Sequence, residues 1–369
     1  MASFWKKIRS DFPIVAKGIY LDHAAGGPIP LPVLSQIEAH YRQNARESDF
    51  AWMKWVKQRE DARRTVAKFM NADPEEVTFT SSTSQGMNYV AEMIAAEGPV
   101  LTNTSEFPSS TLPWLWRRAQ MVWQKPRDGK IDLAAMKTLL SPGIKTIVSS
   151  YVQYGTGYRQ DMETLGRLKG KRYLVVNATQ GFGSLPIDVK KWNADFLCTN
   201  SYKWLMAGYG GGVFYIKKEL LSRLRPGTVG WRSMRVPELM DNQKLDLNPD
   251  AMRYELGCPP FPAIIAVAAA CSYQMKIGLA KIEKRVLELT DFVIQKLQEK
   301  GFEILSPLEP RHRSGIVVFK VKEPALVWKR LLAKKIYVSA RGGGLRLAPH
   351  FYNSFEEIEK LVKVISGKW

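Results

Sequence analysis

Lys203 has the surroundings that most directly suggest chemistry. It lies in the stretch TNSYKWLMAGYGGGVFYI, after an apolar strand-like run and before a glycine-rich turn. Because Tyr202, Trp204 and Met206 flank it, we expect its amine to enter an apolar pocket. Burial favours the neutral amine, which is the nucleophile needed to form an imine. An isolated lysine is more commonly a solvated surface residue, so this motif needs support from other parts of the chain.

A hydroxyl-rich segment, TSSTSQGMN at residues 80–88, follows a predicted strand and begins a predicted helix. The hydroxyls of Ser82, Thr83 and Ser84, with the free backbone amides of a helix start, would form a cradle for a phosphate group. The alternative is ordinary helix N-capping by serine or threonine without any ligand.

A third segment, YLVVNATQ at residues 173–180, brings polar side chains to the end of an apolar strand. Asn177 and Gln180 would lie at the carboxyl end of that strand, where ligands of open α/β sheets bind. The strand itself could also be purely structural.

Short β-rich runs alternate with helical patterns over the first two thirds of the chain. Strands are predicted at residues 76–80, 99–102, 145–150, 173–177, 195–199 and 212–216, and helices at 33–70, 85–95 and 161–168. This alternation predicts an α/β fold with a doubly wound, mostly parallel sheet.

A smaller α/β domain is predicted at the end of the chain. An amphipathic helix at 282–301 precedes short strands at 315–320, 336–339 and 345–348 and a final helix from residue 354. We therefore predict a large domain over residues 21–279 and a small domain formed by residues 280–369 with residues 1–20.

Composition limits the classes of partner. The 369 residues carry a net charge of +19, but the bases are scattered in pairs without a nucleic-acid recognition motif, so a solvated basic surface is expected rather than nucleic-acid binding. No apolar run reaches the ~18 residues of a membrane span, and the start of the chain lacks a signal-peptide pattern. Cys198, Cys258 and Cys271 show neither metal nor disulfide spacing, which is typical of a cytoplasmic protein.

The order of hydroxyl cradle, polar strand end and SxK before a glycine-rich turn resembles the class V aminotransferase family of pyridoxal-phosphate (PLP) enzymes. The resemblance extends from YLDHAAGGPIP at Tyr20 to LRLAPHFYNSFEEI at residues 345–358. That family has the PLP-transferase fold type I and includes cysteine desulfurases, kynureninases, C–S lyases and isopenicillin N epimerase-like proteins. The resemblance implies a homodimeric PLP enzyme that acts on an amino acid by transamination, by β-elimination with C–S cleavage, or by epimerisation.

The resemblance also implies roles for individual residues. Lys203 would hold PLP as a Schiff base and then move the Cα proton of the substrate. Arg346 would pair with the substrate carboxylate, a bidentate task that suits a planar guanidinium. His23 would lie at the substrate side, although an isolated histidine is more commonly structural. The implied cofactor contacts are Thr83, Ser84 and Tyr202 with the phosphate, Phe107 with the face of the ring, Gln180 with the phenolic oxygen, Asn177 with the ring nitrogen, and Trp231 with the phosphate across a dimer interface.

One departure from the family concerns cysteine. Cysteine desulfurases carry a nucleophilic cysteine on a loop ahead of the C-terminal arginine, whereas this chain has the short, cysteine-free stretch VSARGGGLRLAPH there. Desulfuration through a persulfide is therefore disfavoured, and we do not expect a typical cysteine desulfurase.

A second departure is Asn177, where the family has an aspartate. That aspartate keeps the pyridine nitrogen protonated, so that the ring can accept electrons from a carbanion. Replacing a charge-assisted hydrogen bond by a neutral one removes roughly 1–2 kcal/mol of support. Three interpretations stay open: chemistry that needs only a weak electron sink, a slow but ordinary aminotransferase, and a non-catalytic or weakly active PLP-binding homologue.

Overall fold

A seven-stranded mixed sheet forms the centre of the computed structural model, which describes residues 2–127 and 129–367. The strands of the described chain, which belong to this sheet and to two smaller ones, are β1 (Ile19–Tyr20), β2 (Val77–Thr80), β3 (Val100–Asn103), β4 (Met121–Gln124), β5 (Thr146–Ser150), β6 (Tyr173–Asn177), β7 (Phe196–Asn200), β8 (Gly212–Ile216), β9 (Val317–Phe319), β10 (Ile336–Tyr337), β11 (Ser339–Arg341) and β12 (Gly344–Leu347). The central sheet has the spatial order β2-β8-β7-β6-β5-β3-β4. Because β8 is antiparallel to both neighbours and the pairings from β7 to β4 are parallel, the predicted α/β fold with a mostly parallel sheet is confirmed.

Helices bury both faces of this sheet. They are α1 (Ala2–Arg9), α2 (Leu31–Glu47), α3 (Trp52–Met70), α4 (Thr83–Ile94), α5 (Pro108–Trp116), α6 (Leu133–Leu139), α7 (Met162–Leu168), α8 (Lys218–Leu221), α9 (Phe261–Ile277), α10 (Leu279–Gln298), α11 (Pro324–Ala333) and α12 (Phe355–Ser366). Successive residues of β7 belong to different apolar clusters, with Leu197 in one and Phe196 and Cys198 in the other. A sheet that is covered on both sides explains why its strands are continuous apolar runs rather than alternating ones.

Two sequence predictions differ from the structure. The single helix predicted at 33–70 is two helices, α2 and α3, separated by a short 3-10 turn at Ser48–Ala51. Ser48 has a φ of 46°, a left-handed backbone that no continuous α-helix accepts. The sheet also contains β4, an edge strand that is half exposed. It was not predicted because it lacks the buried apolar run of the other strands.

The beginning of the chain packs with its end. β1 pairs in parallel with β10, where Ile19 lies opposite Ile336. Leu21 belongs to the same apolar cluster as residues of α10, β9, β12 and α12. This packing is what a small domain made of residues 280–369 with residues 1–20 requires, and it supports that proposed division.

The helix pair α9 and α10 connects the sheet to this C-terminal part. α9 packs against α2 and α3, and the axis turns by 80° between α9 and α10. Gly278, at the bend, has a φ of +98°, which favours glycine. In the described part of the chain, no helix alone has the length and apolarity to cross a membrane; this bent pair has them only when both helices are counted together.

Candidate active site

A cavity opens at the carboxyl edge of the central sheet. β2, β5, β6 and β7 all end at this edge, so the topology places residues from distant parts of the chain around one space. The predicted site residues that line the cavity are Ser82, Thr83, Ser84, Phe107, Asn177, Gln180, Tyr202 and Lys203. His23, Trp231 and Arg346 are not in the lining.

The Lys203 side chain is buried, with 8% of its surface exposed, and faces two aromatic rings. Its Nζ lies 5.7 Å from the ring centroids of both Phe107 and Tyr202. Within residues 2–127 and 129–367, its amine has no hydrogen bond or ion pair. The backbone around it is tied by Ser201, whose hydroxyl donates to the carbonyls of Gly208 and Gly211 at 2.7 and 2.9 Å.

Two physical causes make this amine unusually easy to deprotonate. Burial is the largest cause, and the positive charges of Arg346 and Arg341 act in the same direction, so that together they lower the pKa of Lys203 to about 8. The carboxylate of Asp22 acts the other way. About one tenth of the amine is therefore neutral and nucleophilic at pH 7, far more than for an ordinary lysine.

The start of α4 faces the same cavity. Ser82 is the N-cap, and its hydroxyl accepts a hydrogen bond from the amide of Gln85 at 3.2 Å. The hydroxyls of Thr83 and Thr179 are 2.7 Å apart, which joins the helix start to the end of β6. The first amides of a helix have no partners within the helix, so this end of the cavity suits a phosphate group.

Asn177 ends β6 and is held in place by its neighbours. Its Nδ2 donates to the Ser110 hydroxyl at 2.9 Å, and its Oδ1 accepts from the Thr179 amide at 3.0 Å. The position therefore presents a neutral amide to the cavity. Asp195 does not replace the missing acid, because it precedes β7 at the opposite edge of the sheet and is paired there with Lys169.

Both ends of the Gln180 amide group are hydrogen-bonded within the protein. Its Nε2 donates to the carbonyl of Ala24 at 3.0 Å, and its Oε1 accepts from the indole of Trp204 at 2.8 Å. The second N–H of the Nε2 group remains for a ligand. A fixed orientation of this kind is what a residue needs to direct one hydrogen bond at a cofactor.

Arg346 lies just beyond the cavity lining and is 2% exposed. Its guanidinium donates to the carbonyl of Tyr154 at 3.1 Å and, over longer distances, to Ser339 at 3.4 Å and Asp22 at 3.5 Å. Its buried Nε has no partner among the described residues. The side chain therefore keeps donors that a substrate carboxylate could use.

His23 points away from the cavity. Its Nδ1 lies 2.9 Å from the carbonyl of Ala348, and its Nε2 lies 3.0 Å from the hydroxyl of Tyr352. Complete burial and the nearby His350 lower its pKa well below the usual value. This neutral, doubly bonded ring favours a structural role, and the adjacent Asp22 is the residue that reaches Arg346.

Trp231 lies in a different part of the molecule. It lines a separate cavity formed by residues 229–246 and is partly exposed. Its predicted contact with a phosphate group requires a second copy of the chain, so that role stays a prediction.

Sequence reasoning missed Ser150, Tyr154 and Asn200, which also line the cavity. Ser150 and Asn200 are the last residues of β5 and β7, so the strand-end argument that identified Asn177 would have found them. Tyr154 follows β5 in an irregular loop, and its ring packs edge-on against Phe107 with centroids 5.1 Å apart. No sequence pattern marked that contact.

These features fit one kind of cofactor. The free Lys203 amine suits an aldehyde, the start of α4 suits a phosphate, and the Phe107 ring suits the face of a flat heterocycle. The buried Oδ1 of Asn200 also lacks a partner among the described residues, which indicates a lining made for a polar ligand. Together with the mostly parallel sheet, they define a PLP-binding protein of fold type I.

Comparisons with known proteins agree. The family model for "Aminotransferase class-V" matches residues 19–361. A probable cysteine desulfurase of Pyrococcus abyssi is 31% identical, with 97% of this chain and 96% of that protein covered. The apo structure of a cysteine desulfurase from Thermococcus onnurineus NA1 superposes with a TM-score of 0.89 at 26% identity, covering 98% of this chain and 97% of that one. A C-DES mutant with glycine covalently linked to its PLP cofactor gives a TM-score of 0.88 at 19% identity, covering 97% and 98%.

The chain belongs to the class V aminotransferase family, whose members are PLP-dependent enzymes. Its cofactor is PLP, as the predicted fold and family implied. In the described residues, no group of three or more histidine, cysteine, aspartate or glutamate side chains could hold a metal ion.

Proposed function

We propose that the protein catalyses a PLP-dependent reaction of an amino acid that begins when Lys203 takes the Cα proton. The observation that carries this proposal is the Lys203 amine, which is buried, has a lowered pKa and is unpaired in the described chain. PLP supplies an electrophilic aldehyde and an electron-accepting ring when it is bound. The Lys203 amine would hold the aldehyde carbon of the cofactor and would accept the Cα proton of the substrate as the base.

The other residues would bind and orient. Thr83, Ser84 and Tyr202 would hold the phosphate, and Phe107 would cover one face of the ring. Gln180 and Asn177 would face its phenolic oxygen and nitrogen. Arg346 would bind the substrate carboxylate through its unpaired Nε and through the Nη2 group, whose contact with Asp22 is long and weak.

The proposed reaction does not pass through a cysteine persulfide, although several relatives are named as probable cysteine desulfurases. Between β11 and β12 only Gly342 and Gly343 intervene, both with positive φ, so this hairpin has no loop that could reach into the cavity. Cys198 and Cys271 are buried, and burial raises the pKa of each thiol. Cys258 is exposed but lines a different cavity.

The test has two parts. Purified protein with PLP should be yellow, borohydride should fix the cofactor to Lys203, and Lys203→Ala should abolish this covalent attachment. A panel of amino acids is then assayed for keto acid, sulfide and D-isomer, because transamination, β-elimination and epimerisation share the first step. A protein that stays colourless with added PLP would overturn the proposal.

A second candidate is a weakly active or non-catalytic PLP-binding homologue. The specific observation in its favour is Asn177, whose neutral amide is already bonded to Ser110 and Thr179. In that case PLP would bind, but no amino acid would change its absorbance.

The functional unit is proposed to be a homodimer. Large apolar side chains are exposed in three segments, with Phe50 99%, Trp116 84% and Leu239 73% exposed. An interface between two copies would cover such side chains if they lie within it. Pairing of two copies could also bring Trp231 to the partner's phosphate site.

A further inference from the structure

The hairpin β11–β12 presents two arginines on one face. Arg346 lies directly opposite Ser339, and Arg341 lies two residues beyond Ser339 on the same strand. Residues two apart on a strand share a face, so Arg341 and Arg346 are diagonal neighbours whose β-carbons are within about 7–8 Å. The two positive charges repel each other at this separation, and a bound anion would offset that repulsion.

The positive charge there exceeds the local negative charge. Arg341 is exposed and, in the described chain, its side chain has no hydrogen bond and no ion pair. The acidic side chain next to both arginines is Asp22, which already accepts from Ser339 and Arg346. The guanidinium of Arg341 therefore remains available to bind an anion.

Arg341 also acts on the catalytic amine. Its charge is among the causes that lower the pKa of Lys203 and of Arg346. Its field therefore reaches the cavity, unlike that of a remote surface arginine. Arg341 lines an open cleft with Asp22 and Ser339, and both of these residues contact Arg346, so the cleft adjoins the guanidinium that would bind the substrate carboxylate.

We infer that Arg341 selects amino acids whose side chain carries a second acidic group, with Arg346 binding the α-carboxylate. The inference rests on the proposed function and names its substrate class as dicarboxylic amino acids. Arginine suits this task because its planar fork matches a carboxylate.

The test measures dissociation constants from the change in cofactor absorbance. L-aspartate and L-glutamate are compared with L-asparagine and L-glutamine, which have the same shape without the second charge. The wild-type protein should bind the acidic member of each pair at least about five-fold more tightly. Arg341→Ala should remove this ratio while leaving the affinity for the amides within about two-fold.

A matched control is Lys363→Ala, which removes an exposed positive charge from α12 and should keep the ratio. A second readout uses the cofactor-free protein: succinate should raise its melting temperature more than butyrate, and Arg341→Ala should abolish that difference. Equal affinities in the wild type, or a ratio that survives Arg341→Ala, would overturn the inference. Failure of PLP to attach to Lys203 would instead overturn the proposed function, while the succinate measurement would still decide the role of Arg341.

Discussion

The protonation of Lys203 decides when the protein can take up its cofactor. Burial, with the nearby charges of Arg346 and Arg341, lowers the pKa of this amine from 10.5 to about 8, so it is protonated at acidic pH and becomes nucleophilic as the pH rises through about 8. The rate at which cofactor-free protein binds PLP should therefore rise with pH and level off above about 8. Absorbance-monitored uptake from about pH 6 to about pH 10 measures it. A midpoint near the ordinary lysine value would contradict the burial argument.

Asn177 is the residue where a single substitution should increase activity. In Asn177→Asp, the new carboxylate can still accept from the Thr179 amide and can accept from the Ser110 hydroxyl, so it would be accommodated. A charged partner for the ring nitrogen should speed Cα-proton exchange roughly ten-fold. Exchange into D₂O, followed by NMR, measures this rate.

The control for Asn177→Asp is Asn200→Asp. It adds the same charge to the same cavity, at the end of the neighbouring strand β7. An equal acceleration in both variants would show that general negative charge, rather than the position of residue 177, is responsible.

At the scale of elements, the β11–β12 turn holds the substrate side of the site in place. A β-carbon on Gly342 would lie 2.2 Å from the carbonyl oxygen of Gly155, next to Tyr154, whose own carbonyl holds Arg346. A β-carbon on Gly343 would meet no atom closer than 3.8 Å, although both glycines have positive φ. The hairpin therefore packs tightly against the loop after β5 at one of its two turn residues.

Gly342→Ala and Gly343→Ala form a matched pair that tests this packing. Each should lose about 1 kcal/mol because alanine disfavours positive φ. Gly342→Ala should lose at least about 1 kcal/mol more because of the clash. Urea unfolding measures the free energy of each variant, and equal losses would show that the loop moves aside without cost.

At the scale of the whole molecule, subunit mixing tests the proposed dimer. Sedimentation should show a dimer, and Trp231→Ala should weaken PLP binding roughly ten-fold if Trp231 contacts the partner's phosphate. When Trp231→Ala subunits exchange with Lys203→Ala subunits, mixed dimers form. One site of each mixed dimer then has an intact Lys203 and receives an intact Trp231 from the partner, so tight PLP binding should return. A monomer, or a mixture no better than the two variants alone, would contradict the proposal.

The sequence alone determined the local features of the site. The bounds of β6 and β8 were predicted as found, and eight of the predicted residues line the cavity. These predictions succeeded because each depends on neighbours in sequence: an apolar run makes a buried strand, and the residue after it reaches the edge of the sheet.

The tertiary structure decided which side chains turn toward the site. Asp22 and His23 are consecutive at the start of a turn, and their side chains contact different partners, so sequence could not tell which one faces Arg346. Their partners lie more than 300 positions away in the chain, as in the contact between Asp22 and Arg346, which are separated by 324 residues. Contacts over such separations exist only after the helices and sheets have packed, because packing fixes the distance between elements that the chain itself leaves free.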